Sequence, residues 1–235
     1  MISKNLLIYC LLCFFYSYAQ NDSIKTIDFI DVEKKLLEIP ESHQDLSLKY
    51  DFKIVDSLQF VDNSITKDIH TTQYEKDFEL GIGNGEAIFK FDCKDSIVER
   101  CYQYVGYSEN AEIHIISKCH DVCELFLIDA FTGATLSVPS AYDSGAYPIF
   151  LPEYMILYST YYDASFGDYY DYRSMIDIYE MKATTELEKK FKYIGSIYSK
   201  QWSIQALYPS NNEKSFLMKL YDMPNEFDYI EITIH

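Results

Sequence analysis

The sequence predicts a mainly β chain built as a stack of antiparallel sheets, with a β-sandwich as the alternative and one short helix near the N-terminus. Three observations carry this. From residue 86 onward, short runs rich in Ile, Val, Tyr and Phe alternate with turn residues. Helical spacing has almost no foothold there, apart from Thr184–Lys190. Runs such as Leu125-Phe126-Leu127-Ile128 and Tyr154-Met155-Ile156-Leu157-Tyr158 are apolar at every position, so their strands are expected between layers rather than on a solvated sheet.

The first element in the chain is an expected export signal. Lys4 precedes an unbroken apolar stretch from Leu6 to Phe15, and Ser17-Tyr18-Ala19 supplies small residues for cleavage after Ala19. The stretch falls short of the roughly 20 apolar residues that a membrane helix needs. The expected organisation is therefore a signal peptide over 1–19, an N-terminal extension over 20–85 and a β-rich domain over 86–235. The expected location is the periplasm or the exterior, with no membrane span after cleavage.

In the extension, Asp31 to Ile39 combines an N-cap residue, apolar spacing of three and four, and a stop at Pro40, which predicts a short helix. Lys49 to Val55 alternates as a strand does, and Asp56 to Glu79 is polar and gives no reading. Gly81-Ile82-Gly83-Asn84-Gly85 lacks the following helix that a phosphate-binding loop requires. In the β-rich domain, strands are predicted at 87–92, 98–107, 112–118, 124–129, 134–138, 154–160, 174–180, 192–197, 203–208, 215–220 and 229–234.

The sharpest local signal is Asp129-Ala130-Phe131-Thr132-Gly133, set between Leu125–Ile128 and Ala134–Leu136. Asp129 can accept hydrogen bonds from the turn amides, and Gly133 can take the positive φ that closes the hairpin. This turn resembles the inner-strand turn of many β-propeller blades. Tyr147-Pro148-Ile149-Phe150-Leu151-Pro152, leading into Tyr154–Tyr158, resembles the entry of a following blade. With Tyr102–Tyr107 and the Tyr/Asp segment 161–172, the region from Tyr102 to about Met181 looks like a class of uncharacterised bacterial exported proteins with a partial propeller-like region. The expected signal peptide ending in Ala19-Gln20 and a composition heavy in Lys, Ile and Tyr look similar to exported proteins of the Bacteroidetes. Leu151-Pro152-Glu153-Tyr154 stands where such blades often have a Ser-Pro-Asp-Gly turn. The resemblance implies a fold and no activity. A repeat of about 40–45 residues fits three to four times into 86–235, which makes either a minimal ring or an open stack whose edges need cover; the extension is the segment available for it.

Composition excludes some partners. With 37 acidic and 20 basic residues, a net charge of −17 repels nucleic acid and anionic membrane surfaces. Once the signal peptide is removed, Cys93, Cys101, Cys119 and Cys123 remain, and an even number in an oxidising compartment predicts two disulfides. Two registers are open. A three-residue loop between Cys119 and Cys123 pairs those two and leaves Cys93 to Cys101, whereas a hairpin centred near Asn110 sets Cys101 opposite Cys119.

The sequence contains no nucleophile elbow, zinc helix or Walker lysine. No catalytic or cofactor-binding residue is assigned. His114 alternates with Ile113 and Ile115, which predicts the solvated face of a strand, and Trp202 reads as a core anchor. Segment 161–172 is longer than a hairpin connection and rich in tyrosine, a side chain that binding loops favour. Tyr161, Tyr162, Asp163, Asp168, Tyr169, Tyr170 and Asp171 are its candidate binding residues, and Asp163, Asp168 and Asp171 are candidate calcium ligands. The expected function is an exported binding module for a protein or saccharide partner. A secreted inhibitor or immunity-type protein and a hydrolase with dispersed residues stand as alternatives.

Overall fold

The computed structural model describes residues 24–37, 48–57, 59, 77–93, 101–119, 123–139, 147–162, 172–199, 203–221 and 229–235. Sixteen strands lie among them: β1 (Lys25–Asp28), β2 (Lys34–Leu36), β3 (Tyr50–Val55), β4 (Phe78–Ile82), β5 (Ala87–Phe91), β6 (Tyr102–Ser108), β7 (Ile113–Cys119), β8 (Cys123–Asp129), β9 (Thr135–Pro139), β10 (Ile149–Phe150), β11 (Tyr154–Tyr162), β12 (Tyr172–Met181), β13 (Phe191–Ser199), β14 (Ser203–Pro209), β15 (Ser215–Tyr221) and β16 (Tyr229–Ile234). One turn of α-helix, α1 (Leu187–Lys190), directly precedes β13. The chain is mainly β, as its alternating aromatic and β-branched runs dictate.

The strands form four sheets in the orders β1-β5-β4, β2-β9-β8-β7-β6, β10-β11-β12-β13 and β14-β15-β16-β3. Each sheet follows the chain from one edge toward the other. The extension then adds an outer strand to three of them: β1 pairs parallel with β5, β2 parallel with β9, and β3 antiparallel with β16. The boundary expected at 85/86 falls inside the β4–β5 hairpin, so the extension shares its sheets with the β-rich region.

Alternate residues of the middle strands face opposite neighbours. Phe126 and Ile128 of β8 pack with Phe29, Leu80, Phe89 and Phe91 on the first-sheet side. Leu125 and Leu127 pack with Phe150, Met155, Leu157 and Tyr179 of the third sheet. On the other face of the third sheet, Ile156, Ile176 and Ile178 meet Phe216, Met218, Ile230 and Ile232 of the fourth. This is why the runs are apolar throughout: both faces are buried. Four successive layers exceed the two of a sandwich. Among the described residues no apolar cluster joins the first sheet to the fourth, and the small cluster of Val55 and Leu217 with Tyr208 and Tyr229 draws its members from the fourth sheet alone. A mainly β stack is thus established, and a closed propeller ring is not.

The short N-terminal helix does not form. Phe29–Asp31 makes a 3-10 turn and Lys34–Leu36 is a strand, with Leu37 N–H bonded to Ser137 C=O. A segment this short does not hold an isolated helix in water, and the edge of β9 offers it backbone partners instead. Phe29 then plugs the first core, its ring 4.4 Å from Phe91, 5.2 Å from Tyr102 and 5.6 Å from Phe126. Lys34 caps the turn, donating to Phe29 and Val32 carbonyls at 2.9 and 3.1 Å with its ammonium 4.5 Å from the Phe29 ring centroid. Burial, then the nearby Lys118, holds the Lys34 ammonium pKa below its ordinary value.

Candidate functional site

The two ends of the stack differ in kind. At one end, short turns are tied across all four sheets. Gly83 N–H of the β4–β5 turn donates to Ala130 C=O of the β8–β9 turn at 2.9 Å. Asn110 of the β6–β7 turn donates to Phe150 C=O at 3.0 Å, and Lys190 of α1 donates to Ala111 C=O. Lys214 of the β14–β15 turn lies 3.3 Å from Glu153 of the β10–β11 turn. Asp129 organises the central turn: its Oδ1 accepts from Phe131 N–H at 3.1 Å, Thr132 N–H at 2.8 Å and Thr132 Oγ1 at 2.9 Å, while Gly133 takes φ +70°.

At the opposite end lie the strand termini Phe91 and Tyr102, Cys119 and Cys123, Tyr162 and Tyr172, Ser199 and Ser203, and Tyr221 and Tyr229. Cys93 and Cys101 are joined there, with Cα atoms 5.3 Å apart. Cys119 and Cys123 face each other in the β7–β8 ladder. Tyr102 pairs with Lys118 in the hairpin centred near Asn110, so both anticipated registers coexist while Cys101 takes Cys93 as its partner. Tyr161 and Tyr162 extend β11 opposite Arg173 and Tyr172 rather than opening a loop. Asp163, Asp168, Tyr169, Tyr170 and Asp171 lie outside the described residues, as does Trp202. Among the described residues no group of three or more His, Cys, Asp and Glu is placed to hold a metal, and no helix is long and apolar enough to cross a membrane.

Two polar clusters were not singled out by the sequence. Asp177 is 1 % exposed and opposite Ser196 in the β12–β13 ladder, where it accepts from Ser196 Oγ. Because that hydroxyl gives its hydrogen to the carboxylate, Tyr193 OH at 2.6 Å donates to Ser196 in turn. The relay Tyr193, Ser196, Asp177 ties β12 to β13. An acid between Ile176 and Ile178 in an apolar run was the available signal.

The second cluster surrounds His114, whose face is not open to water as its alternation predicts. Tyr107 lies across from it in the ladder with rings 4.8 Å apart, and Tyr104 OH is 3.0 Å from Nδ1. Burial pushes the His114 pKa down to about 4, and burial, then Tyr107, pushes that of Tyr104 up to about 12. At neutral pH an uncharged imidazole is therefore hydrogen-bonded through Nδ1 to a protonated phenol. Compared with known proteins, the chain matches no family model, no curated protein and no solved structure.

Proposed function

We propose that this chain is an exported binding or interaction module whose recognition face is the end of the stack where Tyr162 and Tyr172 lie, the residues that segment 163–171 joins in sequence. The observation that supports this most directly is the asymmetry between the ends. One is braced by short turns bonded sheet to sheet, and at the other lie the strand termini Tyr162 and Tyr172 and the Cys93–Cys101 bridge. Recognition is commonly carried by longer connections held on a rigid scaffold, and the tyrosines and aspartates of 163–171 are chemically suited to a saccharide or protein surface. The disulfide agrees with an oxidising location. Hydrolysis is the weaker reading: Asp129 and Asp177 accept hydrogen bonds within their own turn and sheet, and the His114 ring bonds to Tyr104 of the neighbouring strand.

A glycan array and a set of cationic proteins are the probes, applied to the chain and to a Tyr169→Ser/Tyr170→Ser variant. Retained melting temperature with lost signal supports the recognition face. A collapsed melting temperature, or equal signals from chain and variant, sinks it. Binding confined to cationic proteins and abolished by salt would favour the inhibitor reading, which the charge of −17 suits by electrostatic steering.

A further inference from the structure

β3 is the outer strand of the fourth sheet among the described residues, and its pattern is unusual for an edge. Tyr50, Phe52 and Ile54 lie on one face and are 37 %, 60 % and 44 % exposed, while Asp51 and Lys53 alternate on the other. Exposed flat edges are normally blunted, since their free N–H and C=O groups invite another strand. Here the backbone phase can be read. His235 N–H donates to Lys49 C=O at 2.9 Å, so the odd-numbered residues of this strand bond to β16. The even-numbered residues, Tyr50, Phe52 and Ile54, therefore turn their N–H and C=O groups to the edge that no described strand covers.

We infer that a second copy of this chain pairs with that edge, antiparallel, about a two-fold axis at Phe52. In this register Phe52 faces Phe52 of the other copy in a hydrogen-bonded pair, and Tyr50 faces Ile54 in both directions. Asp51 then stands opposite Lys53 twice. The strand is its own complement in backbone phase, apolar contact and charge, which is what an isologous contact requires. Asp51, with 84 % of its side chain exposed, is bonded only at its margin to His235, 2.9 Å away, and is placed to take a second cation. The strand and its flanks, Lys49 to Asp56, carry two lysines and two aspartates within a chain of net charge −17. This edge is thus a neutral stretch where two acidic copies can approach, whereas a polycationic partner would find better surfaces elsewhere. A single strand pair buries less than a standard interface, so the dimer is a weak one that forms at high micromolar concentration.

Sedimentation equilibrium of the purified chain across micromolar to millimolar concentrations tests this. The expected result is a reversible monomer–dimer equilibrium. Phe52→Pro removes an outward N–H that pairs with no described strand of the monomer, so it abolishes the dimer with little change in melting temperature. Independently of proline, Asp51→Lys and Lys53→Asp each set like charges opposite one another twice and weaken the dimer about tenfold. The combined Asp51→Lys/Lys53→Asp variant restores it. A chain that stays monomeric throughout, or a dimer that ignores the charge reversals, overturns the inference.

Discussion

Lys190 reaches from α1 in the third sheet to Asp129 in the second, its Nζ 4.0 Å from the carboxylate with both side chains nearly buried, at 13 % and 8 % exposure. The two partners are not equally dependent on each other. Asp129 Oδ1 is already satisfied by its own turn, whereas Lys190 has the Ala111 carbonyl and this carboxylate to replace water. Asp129→Ala removes the turn bonds and strands a buried cation, so it should cost about 3–5 kcal/mol in urea unfolding. Lys190→Met leaves a carboxylate still held by amides and should cost about 1–2 kcal/mol. The double variant should cost less than the two single losses combined, and strict additivity would show that the pair is not coupled.

His114 gives the chain a pH dependence of defined sign. Its folded pKa of about 4 lies below the ordinary 6.5, so protonation favours the unfolded state. Its stabilising contribution is full above pH 6.5 and is lost as pH falls toward 4. His114→Phe should flatten the melting temperature between those values relative to the parent chain. An unchanged slope would mean that the imidazole is solvated, as simple alternation suggests.

That difference shows where the sequence is legible and where it is not. Strands from Ala87 to Ile234 announce themselves because β-branched and aromatic runs of six or so residues have few other fates, and Asp129 to Gly133 specifies its turn through local hydrogen bonds alone. β1, β2 and β10 are short and owe their existence to backbone groups of a neighbouring strand, which leave little side-chain pattern. β2 is the clearest case: Lys34-Lys35-Leu36 reads as helix, and only the distant edge of β9 makes it a strand. His114 was misread because in-and-out alternation assumes one wet face, while β7 is covered by the first sheet on one side and the third on the other. The aspartates and tyrosines between Tyr162 and Tyr172 are legible as chemistry and not as geometry.

The Cys93–Cys101 bridge closes a short loop, with a sequence separation of 8. Loop-closure entropy for that length makes it worth about 2–3 kcal/mol. Cys93→Ser/Cys101→Ser should lower stability by that amount in denaturant titration. Peptide mapping without reduction should recover the Cys93–Cys101 link, and a Cys101–Cys119 link would show that the β6–β7 ladder chose the partner instead.

Gly133 tests whether the first and second sheets are packed as closely as their turns imply. Its φ of +70° already disfavours a side chain, by about 1–2 kcal/mol for alanine. A methyl group there would also sit 2.8 Å from Phe89 Cζ and 3.2 Å from Ile82 Cγ2, both buried side chains of the first sheet. Phe89 cannot simply swing away, because its ring is held 5.9 Å from that of Phe29 in the aromatic cluster. Overpacking adds a further cost of about 1–3 kcal/mol, so Gly133→Ala should lose more than backbone strain alone explains. Gly81→Ala is the control: it lies on the exposed face of β4 with nothing within 4 Å of an added Cβ, and should stay within about 0.5 kcal/mol of the parent. The Phe89→Leu background separates the two costs, since it removes the ring atom that the new methyl meets. There the cost of Gly133→Ala should fall toward the strain cost, with only the Ile82 contact remaining, and an undiminished loss would mean that the turn does not press on Phe89.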